Sequence, residues 1–272
     1  MTVSVCTFNI RYGFANDGPN CWDDRRGIVC DLWRDSGWDV VGIQEGLRHQ
    51  LDHIRNEVPT YAETGVGRDD GASSGEHCAI LYRTDRFDLL STATFWFSTT
   101  PDVPGSRSWG TRHARICTSA HLRDKSTGRA FWVYNLHVDH ESQEARERSS
   151  DMLISRVAAR GDDSSLPGGV GGGGVSDPVI VMGDFNAHAD NAAVRRLSAA
   201  DSPFPIETYA SLHPSDTRAY TYHEFTGGDV EGKIDYIFVS PDWTVDAAEI
   251  VRANVDGRYP SDHFPVTATL SL

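Results

Sequence analysis

Five short polar clusters stand at the ends of apolar runs in this chain. They are Asn9 in Thr-Phe-Asn-Ile-Arg, Glu45 in Ile-Gln-Glu-Gly, Asp184 and Asn186 in Met-Gly-Asp-Phe-Asn, Asp235 in Lys-Ile-Asp-Tyr-Ile-Phe, and Asp262-His263 in Pro-Ser-Asp-His-Phe-Pro. His137, in Asn-Leu-His-Val-Asp-His, holds a position of the same kind. Carboxylate and amide oxygens are hard donors that suit Mg²⁺ or Mn²⁺, cations that keep several waters and bind phosphate oxygens. A carboxylate can orient or deprotonate an attacking water, and a histidine can donate to nonbridging phosphoryl oxygens or protonate a leaving group. Residues of these types predict metal-assisted hydrolysis of a phosphate ester.

The elements that must carry these groups are legible as periodicities. Residues 2–10 alternate polar and apolar side chains and read as a strand, and 39–45 is a short buried strand. Helices are expected at 23–36, with Ile28, Val29, Leu32 and Trp33 on one stripe, and at 47–58, ending before Pro59. Short β-type segments follow at 77–83, 87–98, 115–123 and 130–136, separated by Gly, Asp, Ser and Pro as in an antiparallel meander. The segment 142–160 is the clearest helix, with Ala145, Ser149, Met152, Leu153 and Val157 inward. Strands are expected again at 178–183, 220–225, 234–239, 245–251 and 264–270. Asn9, Glu45 and Asp184 fall at the C-terminal ends of their strands, Asp235 and Asp262-His263 at the starts of theirs. If the second set runs antiparallel to the first, every cluster meets at one rim. The mixed order predicts an α+β or α/β sandwich, two sheets packed together with helices outside, built as a single domain over 1–272. The Gly-rich stretch at 161–177 reads as a flexible surface insertion rather than a phosphate cradle, because no Lys-Ser/Thr follows it.

Composition removes other readings. The five cysteines are scattered, with no metal-type spacing, and Cys6, Cys78 and Cys117 read as core residues of strands. No apolar run reaches a membrane-spanning length, and Met1 leads straight into Val3-Ser4-Val5 without a secretory pattern. A cytoplasmic, reducing home is therefore expected. Gly71-Ala-Ser73-Ser-Gly75 spells a serine-hydrolase elbow but sits in a polar loop, without the strand-turn-helix context such an elbow needs. The net charge of −14 disfavours wrapping a long polyanion and says nothing against small phosphoesters.

Taken together, the motifs resemble the endonuclease/exonuclease/phosphatase superfamily, the fold of deoxyribonuclease I, and they do so along the whole chain in the family's order. The strings Thr-Phe-Asn-Ile-Arg-Tyr, Asn-Leu-His-Val-Asp-His-Glu-Ser-Gln-Glu-Ala-Arg and Gly-Arg-Tyr-Pro-Ser-Asp-His-Phe-Pro are most similar to an uncharacterised, mainly microbial branch. The resemblance implies a four-layer sandwich of two mixed sheets flanked by helices. It implies Asn9, Glu45 and Asp262 facing a Mg²⁺ or Mn²⁺ ion, and Asp184 with Asn186 orienting water and phosphate. It also implies His263 on the phosphate with Asp235 as its carboxylate, and His137 as a candidate general acid. The Tyr-then-Arg phosphate clamp of abasic-site endonucleases is absent. Arg107, Arg112 and Arg115 are the nearest basic groups; Arg112, Arg115, Trp109 and His140 are taken as substrate contacts, and Trp22 and Phe225 as further rim aromatics. The expected function is hydrolysis of a phosphomonoester or phosphodiester, on a small molecule or headgroup. The alternative is an RNA or DNA nuclease. An inactive binding module is disfavoured by the intact polar set, and no obligate protein partner is expected.

Overall fold

A computed structural model describes residues 1–160 and 177–272, so all of the Gly-rich insertion but Asp177 lies outside the described residues. The first half contains β1 (Thr2–Asn9), α1 (Trp22–Ser36), β2 (Val40–Gln44), α2 (Arg48–Glu57), β3 (Tyr61–Thr64), β4 (Ile80–Arg83), β5 (Phe87–Trp96), β6 (Ile116–Asp124) and β7 (Ala130–His137). After these come α3 (Gln143–Ala158), β8 (Val179–Asp184), α4 (Ala192–Leu197), β9 (Ile206–Glu207), α5 (Thr208–Leu212), β10 (Asp235–Val239), β11 (Thr244–Ile250) and β12 (Val266–Ser271). Two six-stranded mixed sheets result, ordered β11-β12-β1-β2-β4-β3 and β5-β6-β7-β8-β10-β9. Each contains one parallel pair, β1 with β2 and β7 with β8.

The central strands are apolar on both faces because both faces are covered, and the two-residue period decides which side chain goes where. Val3 and Val5 of β1, Phe131 and Val133 of β7, Ile180 and Met182 of β8, and Ile237 and Val239 of β10 fill the layer between the sheets. The alternate residues face outward. Cys6 and Phe8 pack with Trp33, Leu51 and Ile54 of α1 and α2, while Tyr134, Val181 and Phe238 pack with Leu153 and Val157 of α3. Continuing the same parity, Asn9, His137, Asp184 and Asp235 fall on the facing inner sides of the two sheets. β12 runs antiparallel to β1 and β10 antiparallel to β8, with Asp235 directly opposite Asp184, so the chemical ends collect at one rim.

Most expected elements form, with boundaries moved by a residue or two. α3 starts at Ser142, whose hydroxyl accepts from the Ala145 N–H, and α1 stops at Gly37, whose left-handed backbone (φ 58°) closes the helix. The buried stripe of α1 is rotated from the expected one: Trp22, Arg25, Val29, Cys30 and Trp33 face inward, with Ile28 and Leu32 at the edge. No strand forms over 220–225. Tyr222 makes a lone bridge to His263, and Glu224 and Phe225 adopt positive φ (48° and 59°), which ends any extended run. Cys6, Cys78 and Cys117 are buried and unpaired, as expected of core thiols. Among the described residues, no helix is long and apolar enough to cross a membrane.

Candidate active site

The rim residues are held in conformations that the chain adopts only under constraint. Arg11 and Glu45, each just past a strand, have φ of 62°, and Asn186 has φ of 44°. A non-glycine residue in this region costs on the order of 1 kcal/mol or more, and it persists where surrounding contacts over-determine it. One such contact comes from α1. Buried Arg25 donates to the carbonyls of Ile10 (2.7 Å), Pro260 (2.8 Å), Asn20 (3.0 Å) and Arg11 (3.2 Å), tying the turn after β1 to the turn before β12. Ser261 Oγ adds a bond to Asn9 O at 2.7 Å. Asn9 and Asp262 are thereby fixed side by side.

Asp184 Oδ2 is the hub. Asn9 Nδ2 donates to it at 3.0 Å and to Glu45 Oε1 at 3.0 Å, so one amide spans two carboxylates. His137 Nε2 lies 3.6 Å and His263 Nε2 3.9 Å from the same oxygen. Asp184 Oδ1 accepts from the Asn186 N–H at 2.9 Å, and Glu45 Oε2 from the Tyr12 N–H at 2.7 Å. On its far side His263 Nδ1 meets Asp235 Oδ2 at 2.9 Å, while Arg11 Nη1 stands 3.4 Å from Asp262 Oδ2. The structure thus brings Asn9, Glu45, His137, Asp184, Asn186, Asp235, Asp262 and His263 together.

Electrostatics divides the two histidines. Burial disfavours a charge on His263, but Asp235, Asp184 and Asp262 outweigh it and raise its pKa to about 10, so it is a cation at neutral pH. Burial, with Arg115 and Arg68 nearby, holds His137 well below the usual imidazole range. Its hydrogen bonds agree: Asn186 Nδ2 donates to Val138 O (3.1 Å), which fixes the amide, and its other proton points at His137 Nε2 (2.9 Å). His137 Nε2 is therefore an acceptor here, a geometry that fits anchoring Asn186 and opposes the expected general-acid role. Burial and the charge on Asp235 push Asp184 upward, whereas Asn9, His263, the Tyr12 N–H and Arg11 overcome burial at Glu45 and lower it.

The expected substrate contacts scatter. Arg112 is exposed and faces Glu141 at 3.8 Å. Trp109 is half-buried against the apolar layer beneath α3, and its carbonyl accepts from Ser142 Oγ at 2.8 Å, so it packs the helix start. Trp22 is buried in α1, and Phe225 lies under the Arg25 guanidinium. Asp139 accepts from the Glu141 and Ser142 N–H groups and leads into α3. Arg115 alone of these basic groups is buried beside the rim, holding His140 Nδ1 at 2.8 Å. Sequence reasoning missed Arg68 and Glu76, which line the same side of the site, and Arg25, whose place on the stripe of Trp22, Val29 and Trp33 was the available signal.

The donor set fits a hard divalent cation. Four carboxylates, Glu45, Asp184, Asp235 and Asp262, gather at the rim, where His263 is committed to Asp235 and Arg25 to backbone carbonyls. Asp184, Asp235 and His263 present ligand atoms within 4.8 Å of one another, but Asp235 Oδ2 and His263 Nδ1 are spent on each other. Asp235 Oδ1 and His263 Nε2 remain available, and Glu45, Asp262 and Asn9 Oδ1 are further oxygen donors at the rim that could hold the ion.

The chain belongs to the Endonuclease/Exonuclease/phosphatase family, whose model matches residues 6–263. Members of that family are hydrolases acting on phosphoester bonds and typically use divalent metals. A crystal structure of an endonuclease/exonuclease/phosphatase from Bacteroides vulgatus is 35% identical, with 100% of this chain and 99% of that one covered and a TM-score of 0.87. A mannosyl-6-phosphatase from Bacteroides thetaiotaomicron is 32% identical, with 99% and 100% covered and a TM-score of 0.87. The CCR4-Not complex 3'-5'-exoribonuclease subunit Ccr4 of Phaeosphaeria nodorum is 25% identical over 169 residues, 50% of this chain and 27% of that protein. The curated relatives it matches are covered over 22% to 67% of their own lengths.

Proposed function

We propose that this chain is a Mg²⁺- or Mn²⁺-dependent phosphoesterase acting on a small phosphate ester. The observation that carries this reading is Asn9 Nδ2 bridging Glu45 and Asp184, with His263 Nε2 3.9 Å from the same Asp184 oxygen. Glu45 and Asp262 would hold the ion, with Asn9 keeping Glu45 and Asp184 apart. When bound, the ion supplies positive charge against the phosphoryl oxygens. Asp184, raised by burial, accepts a proton from the attacking water. The water oxygen forms a bond to phosphorus, and the ester oxygen leaves with the bonding pair and takes a proton from solvent. His263 donates from Nε2 to a phosphoryl oxygen, and Asn186, whose amide protons are held by His137 and Val138, offers Oδ1 to orient the attacking water.

The net charge of −14 favours a small substrate over a long polyanion, and the mannosyl-6-phosphatase relative supports a sugar phosphate. The Ccr4 relative is what favours a nuclease as the second reading. Chelated protein, resupplied with Mg²⁺ or Mn²⁺, is assayed on sugar phosphates, p-nitrophenyl phosphate, bis-p-nitrophenyl phosphate, single-stranded RNA and plasmid DNA. Turnover is expected to vanish on chelation and return with metal, fastest on a small ester, and Glu45→Gln should lose roughly a hundredfold or more. Undiminished activity after verified metal removal would sink the mechanism, and preferential cleavage of RNA or DNA would establish the second reading.

A further inference from the structure

Beside the rim lies a buried cation with hydrogen-bond capacity that the protein leaves unused. Arg115, immediately before β6, is 5% exposed. Its Nη2 donates to His140 Nδ1, and Asp139 Oδ2 stands 3.8 Å from its Nε, beyond hydrogen-bond range. Among the described residues, Arg115 Nε and Nη1 have no hydrogen-bond partner, and neither has Asp139 Oδ2. Buried guanidinium donors are rarely left so, because the lost hydration of each is uncompensated.

Arg115 lines a cavity together with Glu45, His137, Arg68 and Glu76. Arg68 is 9% exposed, its Nη1 is paired with Glu76 Oε2 at 2.5 Å, and its Nε is a second buried donor without a partner among the described residues. Two guanidinium groups therefore share a cavity with two residues of the proposed catalytic rim. Arg68 offsets Glu76, a bound cation would offset Glu45, and Asp139 balances the charge of Arg115, but Arg115 Nε and Nη1 remain without hydrogen-bond partners for an incoming oxygen to fill. A guanidinium fork matches phosphate oxygens in geometry as well as in charge. The cavity measures about 10 Å³, room for about one water-sized group. Cys78 and Ile116 wall it, so a single terminal oxygen matches its volume best.

We propose that Arg115, backed by Arg68, is the receptor for a terminal phosphoryl oxygen, and that it selects phosphomonoesters over phosphodiesters. The inference rests on the phosphoesterase reading and narrows its substrate class. A monoester near neutral pH carries close to two negative charges on three terminal oxygens, since its second ionisation lies near pH 6. A diester offers two nonbridging oxygens and one charge, and its second ester group would have to enter a space that fits about one water.

The test compares the Mn²⁺-loaded full chain with Arg115→Met, Arg115→Lys and Arg68→Met. The substrates are p-nitrophenyl phosphate and bis-p-nitrophenyl phosphate, with inorganic phosphate as inhibitor. Wild type is expected to prefer the monoester. Arg115→Met should lower kcat/KM on the monoester roughly a hundredfold, lower it on the diester by roughly tenfold or less, and weaken phosphate inhibition by about tenfold. Arg68→Met should move all three in the same direction by less. Equal losses on both esters, unchanged phosphate inhibition, or a wild-type preference for the diester would each overturn the assignment. If Arg115→Met does not fold, Arg115→Lys, which keeps the charge near Asp139 but loses the fork, decides alone: an unchanged monoester-to-diester ratio refutes the proposal. If wild type hydrolyses neither ester with metal, the phosphoesterase reading fails. Calorimetric binding of inorganic phosphate to wild type and Arg115→Met then judges the anion seat by itself: binding weakened by the substitution upholds it, and equal binding or none refutes it.

Discussion

A buried imidazole normally gives up its proton, and His263 keeps its own because three carboxylates surround it. The folded protein holds that proton up to about pH 10, far above the ordinary histidine value near 6.5. The stabilisation from the His263–Asp235 pair is therefore complete below about pH 6.5 and is lost as pH rises toward 10. Asp235→Asn removes the main opposing charge, so the alkaline limb of the pH–rate profile should move to lower pH. His263→Ala should nearly abolish turnover with a smaller effect on KM, and the double variant should be little worse than His263→Ala. Losses that multiply across the four enzymes would show that Asp235 serves elsewhere. Asn9, Glu45, Asp184, Asn186, Asp235, Asp262 and His263 were legible in the sequence because each interrupts or ends an apolar run. Arg68 and Glu76 were not, since a single arginine or glutamate within a Gly, Asp and Ser stretch carries no local sign of burial. Nor could sequence say that Asn186 would hand His137 a proton donor and so change the role expected of that histidine.

At the scale of elements, strand parity does the positioning. β7 and β8 run parallel with His137 opposite Asp184, and they approach so closely that a Cβ on Gly183 would sit 2.1 Å from Leu136 O. Gly183→Ala should therefore part the two strands where the site is built. We expect a stability loss of about 1–3 kcal/mol by thermal melting. Turnover at a temperature where the variant is fully folded should fall at least tenfold, since small misplacements of reacting groups cost rate steeply. Retained activity would mean that the register of β7 on β8 does not set the site. The alternation that revealed β1, and the short β-type and apolar runs that revealed β5 to β8 and β10 to β12, also misled. Tyr220, Tyr222 and the polar residues between them mimic a strand, but the backbone there turns after a single bridge from Tyr222 to His263. β3, β9, α4 and α5 are too short to establish a period, and they form because neighbouring strands and apolar layers receive them.

At the scale of the whole molecule, a net charge of −14 surrounds a site that binds anions in the proposed reading. Small anions need only the local field of His263, Arg11 and Arg115, whereas a polynucleotide must lie along the acidic surface as well. Single-stranded RNA should therefore inhibit ester hydrolysis weakly, even at low ionic strength. Tight, salt-sensitive inhibition by RNA would instead reveal a polyanion track.

The pairing of β1 with β12 also sets a schedule. Ser261 and Asn9, joined by a hydrogen bond, are 252 positions apart. A ribosome adding about 5–20 residues per second needs on the order of ten to fifty seconds to supply the second after the first. Throughout that interval β1 has one edge bare and the Asn9 turn lacks the partners that hold it. Contacts of such long sequence separation form slowly, so the first sheet is completed last. The nascent chain is then an aggregation hazard in need of shielding, and the proposed centre cannot assemble before Asp262 and His263 have been added.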